Sequence, residues 1–195
     1  MKKTSIFILF SLLTLCLYAE KNSVESIRLH NDGYRLYKTY LPTDNIYKNT
    51  ARDMGVLASK NKSKTYRKSA QLISLVRSKS KKYYNTNKKL VEYLKKKWNK
   101  PHYSSMDEDW KDKTFKKDHK KVKDIFSLSQ GLQLAFNDWT KARNEAAKKS
   151  LPAEVEKLFK KANEVFEKTI SAVVEEETIV YKSISKELRI IEMSK

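Results

Sequence analysis

Three glycines and three prolines leave this 195-residue chain almost without the residues that turns and sheets require. Average usage is about 7% and 5%, so the scarcity excludes a turn-rich β architecture and favours long helices joined by few loops. A single cysteine, Cys16, excludes an internal disulfide. The three histidines, His30, His102 and His119, lie far apart and form no His-x-x-x-His or Cys/His ligand pair. With so little glycine there is no phosphate-cradling loop and no nucleophile elbow. The Glu-x-x-His pair of di-metal helical bundles is also missing. Asp107, Asp109 and Asp112 lack the glycine and distal glutamate of an EF-hand loop. These absences point to a non-enzymatic chain with no cofactor, no bound metal and no small-molecule substrate.

Arginine is scarce too, seven against thirty-five lysines. Arg supplies the planar fork that grips phosphate or reads guanine, so its shortage favours diffuse attraction over specific readout. What is abundant is positive charge, with 42 Lys and Arg against 23 Asp and Glu, for a net +19. Most of the excess lies in residues 60–100, which hold fifteen basic residues and one acid, Glu92. Through that run passes an apolar stripe of Leu72, Ile73, Val76, Tyr83, Leu90, Leu94 and Trp98 at helical spacing. The pattern predicts an amphipathic helix with a cationic side, and Lys79, Lys81, Lys82, Lys88, Lys89, Lys95, Lys96 and Lys97 are its candidate binding face.

The start of the chain has the three-part layout of an export signal. Met1-Lys2-Lys3 is positive, Ile6 to Leu17 is apolar apart from Ser11 and Thr14, and Leu17-Tyr18-Ala19 precedes the charged Glu20. About a dozen apolar residues fall short of the roughly twenty a transmembrane helix needs. Cleavage after Ala19 is expected, giving a periplasmic or secreted chain without a transmembrane segment. Cys16 offers an alternative lipid anchor, but Leu15 stands where a lipoprotein signal has a small residue.

The mature part, 20–195, reads as one all-α domain: an elongated helical bundle with a long, coiled-coil-like C-terminal helix. Short N-terminal helices are expected over 20–58, the first ending at Pro42 because the residue before proline avoids helical backbone. Tyr34, Tyr37 and Tyr40 share one side of it. The polar run 59–65 reads as a break before the basic helix 60–100. Residues 101–121 read as an irregular connection. A helix is expected over 122–149, where Val122, Ile125, Leu128, Leu132, Phe136, Trp139, Ala142 and Ala146 form one stripe. Gly131 within it suits a close helix crossing, and Trp139 is expected as a core aromatic rather than a ligand platform.

Ser150-Leu151-Pro152 then starts the last helix, 151–193. In it Phe159, Phe166, Val173 and Val180 repeat every seven residues, and Ile170, Ile184 and Ile191 form a second series interrupted by Glu177. The half of this seam beyond Val173 is expected to be covered by residues 20–58 or by another chain, which makes Val173, Val180, Ile184 and Ile191 the candidate assembly seam. Function then reads as an exported structural or interaction protein that assembles with itself or with another cell-envelope protein. The alternatives are a binder of acidic polysaccharide, anionic lipid or nucleic acid through the 60–100 helix, and a basic periplasmic holdase chaperone.

Overall fold

The computed structural model describes residues 40, 42–98 and 113–194. The export signal with Cys16, the helix expected over 20–39 with Tyr34 and Tyr37, and the acidic run at 107–112 lie outside the described residues.

Four helices and no strand make up the described residues. The first, α1, spans 42–61. It is followed by α2, Lys64–Trp98, α3, Lys113–Ala147, and α4, Pro152–Met193. At 1.5 Å per residue the 42 residues of α4 make a rod of about 60 Å. Side-chain pairs fix the directions. Ser63 meets Glu156 and Lys82 meets Glu177, so α2 and α4 run parallel. Trp139 meets Asn163 and Lys121 meets Glu187, so α3 runs antiparallel to α4. The smaller α1 runs antiparallel to α2, with Asp44 on Arg77 at 2.8 Å and Tyr40 stacked on Tyr84 at 4.6 Å. Across α1, Tyr47 meets Phe136 of α3 edge-on, with ring centres 4.7 Å apart.

The hydrophobic rows of all four helices close on one another in a single core. Leu72, Ile73, Val76, Tyr83, Leu90 and Leu94 of α2 are buried, as are Val122, Ile125, Leu128, Leu132, Phe136 and Trp139 of α3. An aromatic layer of Trp139, Phe136, Phe159 and Phe166 fills one level. The indole N–H of Trp139 donates to Asn163 Oδ1 at 3.0 Å, which settles it as a core residue. Gly131 permits the crossing of α3 over α4, since a Cβ there would stand 3.0 Å from a methyl of Val173.

Several expected boundaries are corrected. The polar run 59–65 is no extended break. The α1–α2 corner needs only Lys62 and Ser63, with Lys62 in the left-handed region at φ 52°. The Ser63 N–H bonds to the Ala58 carbonyl at 3.1 Å, closing a Schellman-type C-cap. The Ser63 hydroxyl oxygen then accepts from the Tyr66 N–H at 3.3 Å as the N-cap of α2. The basic helix therefore begins at Lys64, and Lys60 belongs to α1. Tyr40 and Pro42 are both helical, so helical backbone is present at the proline that was expected to end it. Residues 113–121, expected to be irregular, form the first turns of α3. Among the side chains described there, 116–121, the inward ones are Asp118 and Lys121, which are buried but charged, so no apolar residue marks them as helix. The helix expected to end at 149 ends at Ala147, and Lys148 to Leu151 form the tight corner into α4.

The candidate assembly seam is the main correction. Val173, Val180 and Ile184 are 8%, 6% and 0% exposed and belong to the chain's own core, while Ile191 is half-buried. Tyr83 and Lys121 hold α2 and α3 against this half of α4 through Glu177 and Glu187. These side chains need no second chain to cover them.

Candidate functional site

The cationic face of α2 divides into two sets. Lys79, Lys82 and Lys97 turn toward neighbouring helices. Lys79 Nζ lies 2.7 Å from Glu177 Oε2, and Lys82 pairs with the other carboxylate oxygen. The Tyr83 hydroxyl donates to Glu177 as well, at 3.0 Å. The Lys82 ammonium also stands 4.5 Å above the Tyr181 ring. Burial would raise the Glu177 carboxyl, but the hydrogen bonds from Lys79, Lys82 and Tyr83 outweigh it and hold it below the usual range. Burial pushes the Tyr181 hydroxyl up to about 12, so this ring stays neutral beneath the ammonium.

Lys97 enters a second network. It pairs with Asp118, which accepts from Lys121 at 2.9 Å, and Lys121 pairs onward with Glu187. Burial opposes the charge on Asp118, yet hydrogen bonds from Lys97 and Lys121 keep its carboxyl below the usual range. Burial likewise works against the Lys121 ammonium, and its bonds to Glu187 and Asp118 raise it above the ordinary lysine value. Both networks tie helices together through charges that have partners on the inside. The buried charges are Glu177, Asp118, Glu187 and Lys121, and removing a partner from a buried charge is costly, so Lys79, Lys82 and Lys97 are structural although their own side chains are partly exposed.

The second set faces outward. Lys81, Lys88, Lys95 and Lys96 are exposed, and Lys89 is half-buried. Lys88, Lys95 and Lys96 form no ion pair with a described residue. The order along α2 is regular: Lys81-Lys82, Lys88-Lys89 and Lys95-Lys96 repeat every seven residues. Seven residues advance a helix by about 10 Å, so lysine pairs stand at even intervals along one side. The two outward rows, Arg67, Ser74, Lys81, Lys88, Lys95 and Lys64, Gln71, Ser78, Asn85, Glu92, contain no apolar side chain. Glu92 is the one acid in α2. The ladder's charge is attractive to anions along its whole length, and the Lys95–Lys97 end also sits favourably on the negative end of the α2 dipole.

The amphipathic period located this face, but it could not sort the lysines. Lys79, Lys82 and Lys97 flank the apolar stripe, and only the presence of Glu177 and Asp118 opposite turns them inward. Among the described residues no group of three or more His, Cys, Asp or Glu is placed to hold a metal ion. No described helix is long and apolar enough to cross a membrane. Compared with protein families, curated proteins and solved structures, the chain matches none.

Proposed function

We propose that the chain is an exported, non-enzymatic interaction protein whose α2 holds an acidic polysaccharide along its outward face. The observation that carries this reading is the row of Lys81, Lys88 and Lys95, seven residues apart, exposed and accompanied on α2 by one acid. Such a row attracts a linear polyanion by counterion release and medium-range field, without needing a shaped pocket. The two outward rows carry no apolar side chain, and the exposed apolar residue beside them, Leu75, is single, whereas an interfacial helix requires an apolar face. The shortage of arginine disfavours base-edge or bidentate phosphate readout. The export-signal pattern of residues 1–19 supports a location where envelope polysaccharides are met and nucleic acid is scarce.

The test is binding to heparin, with single-stranded DNA and anionic vesicles as comparison arms, over a range of salt. The expected result is preferred binding to heparin that weakens steeply with salt. Changing Lys81, Lys88 and Lys95 together to Gln should flatten the log–log salt slope by about two to three units. All three side chains are exposed, so the helix signal should not change. Equal affinity of the triple variant, or binding insensitive to salt, refutes the reading. Preferred binding to DNA or vesicles reassigns the ligand. The export part is checked by intact mass, which should place the native N-terminus at Glu20.

A further inference from the structure

Besides its two buried series, α4 and the residue before it carry a third heptad row, of which only Leu158 packs against the core. Leu151, Leu158, Val165, Ala172 and Ile179 recur every seven residues. Leu151, Val165 and Ile179 are 60%, 57% and 70% exposed. Ala172 is exposed and Leu158 half-buried. Beside the row, between α3 and α4, lies a cleft of about 260 Å³ whose wall includes Leu158, Ala162, Val165 and Phe166. An apolar line of this length in water is the signature of a docking face, and a seven-residue period is that of a helix meeting a helix.

The charges along its edge select the occupant. Glu154, Lys161, Lys168, Glu175 and Lys182 form the flanking row, all exposed and none ion-paired to a described residue. We propose that α4 of a second copy of this chain packs antiparallel on this row, as a two-fold symmetric dimer with its axis between Lys168 and Thr169. In that register Leu158 faces Ile179 of the second copy, and Val165 faces its Ala172. Lys161 then faces Glu175 of the second copy, and Glu154 faces its Lys182. The symmetry of a self-complementary interface makes each of these pairs twice. Ile179 of the second copy arrives at the mouth of the cleft beside Leu158. The single like-charged meeting is Lys168 with its own copy at the axis. Sliding the helices to centre on Val165 sets Lys161 against Lys168 and Glu154 against Glu175, like on like, and centring on Ala172 sets Lys161 against Lys182 twice, so the charges favour the first register. The proposal does not rest on the polysaccharide reading, since it uses another helix and other residues.

Sedimentation equilibrium of the purified chain, followed with variants at these exposed sites, tests it. The wild type should dimerise reversibly. Ile179→Glu should raise the dissociation constant by more than about tenfold while circular dichroism stays unchanged. Lys161→Glu should weaken the dimer roughly three- to tenfold, and Lys161→Glu combined with Glu175→Lys should restore it. Lys168→Gln should tighten it. A wild type that stays monomeric at its highest soluble concentration overturns the proposal, whether or not it captures some other protein. So does a dimer indifferent to Ile179→Glu, or one that the double charge reversal fails to rescue.

Discussion

Ile184 and Ile179 lie on the same helix five residues apart, and truncating each to alanine gives opposite outcomes. Ile184 is 0% exposed and Ile179 is 70% exposed. Replacing a fully buried isoleucine with alanine removes the transfer free energy of the lost groups and leaves a cavity, together about 2–5 kcal/mol. Closing that cavity would require α2 and α3 to approach α4. They are held at fixed levels by the Tyr83–Glu177 and Lys121–Glu187 contacts on either side of Ile184. The cost should therefore fall in the upper part of that range. At about 2–4 °C per kcal/mol for a chain of this size, Ile184→Ala should lower the melting midpoint by roughly 8–20 °C. Ile179→Ala should shift it by less than about 2 °C, since surface changes fall within about 0.5 kcal/mol. The assay is thermal and urea unfolding followed by circular dichroism at low protein concentration. If Ile184→Ala leaves stability unchanged but alters sedimentation, that side chain packs against another molecule and the core assignment is wrong.

Two further outcomes follow from the buried charges and the α1–α2 corner. Asp118 and Glu177 have folded values below their ordinary ones, so the stability they confer is present above the ordinary carboxylate range and lost as pH falls through the depressed values. Lys121 is raised, so its contribution is present below the ordinary lysine value and lost as pH rises through the raised one. The urea midpoint should hold a plateau between about pH 5 and 10 and fall on both sides. Glu177→Gln should lower the plateau by about 1–3 kcal/mol and flatten the acid limb. Lys62→Gly should stabilise the chain by about 1 kcal/mol, because a non-glycine residue in left-handed backbone is strained by roughly that amount. A destabilised Lys62→Gly variant would mean that the corner does not depend on that backbone conformation.

The helical class was legible because the two signals for it, scarce glycine and proline and clear apolar periods, are independent. The inward rows of α2 and α4 were legible for the same reason, with Tyr83, Leu90, Phe159 and Phe166 buried as their spacing requires. What was not legible has separate causes. At the end of the bundle where α2 stops and α3 starts, inward positions are taken by Asp118, Lys121 and Glu187, so a reading that follows apolar residues loses the helix there. Length misled in the opposite direction. The far half of a 42-residue seam was expected to need residues 20–58 or another chain over it, yet α2 and α3 are each 35 residues long. Together with α4 they form a bundle long enough to bury Val180 and Ile184. Nor does a row of Leu151, Leu158, Val165, Ala172 and Ile179 declare from sequence whether it lies inside or outside. It became distinct only when the other two rows were seen to fill the core.

The three polar side chains that α4 sends inward, Asn163, Glu177 and Glu187, are unevenly placed, fourteen and then ten residues apart. Each meets a different answering group: Ser69 and the Thr65 carbonyl for Asn163, Lys79, Lys82 and Tyr83 for Glu177, and Lys121 for Glu187. A seven-residue slip of α4 would still set apolar rows against apolar rows, which is how helical rods commonly find wrong alignments. Here the same slip would bring Asn163 toward Val76, strand Glu177 away from its tyrosine and leave Lys121 half unanswered. Because the intervals are unequal, no translation matches all three again. The bundle behaves as a lock whose unequal teeth admit one setting, and a rod that cannot creep lengthwise keeps whatever it displays at a constant pitch.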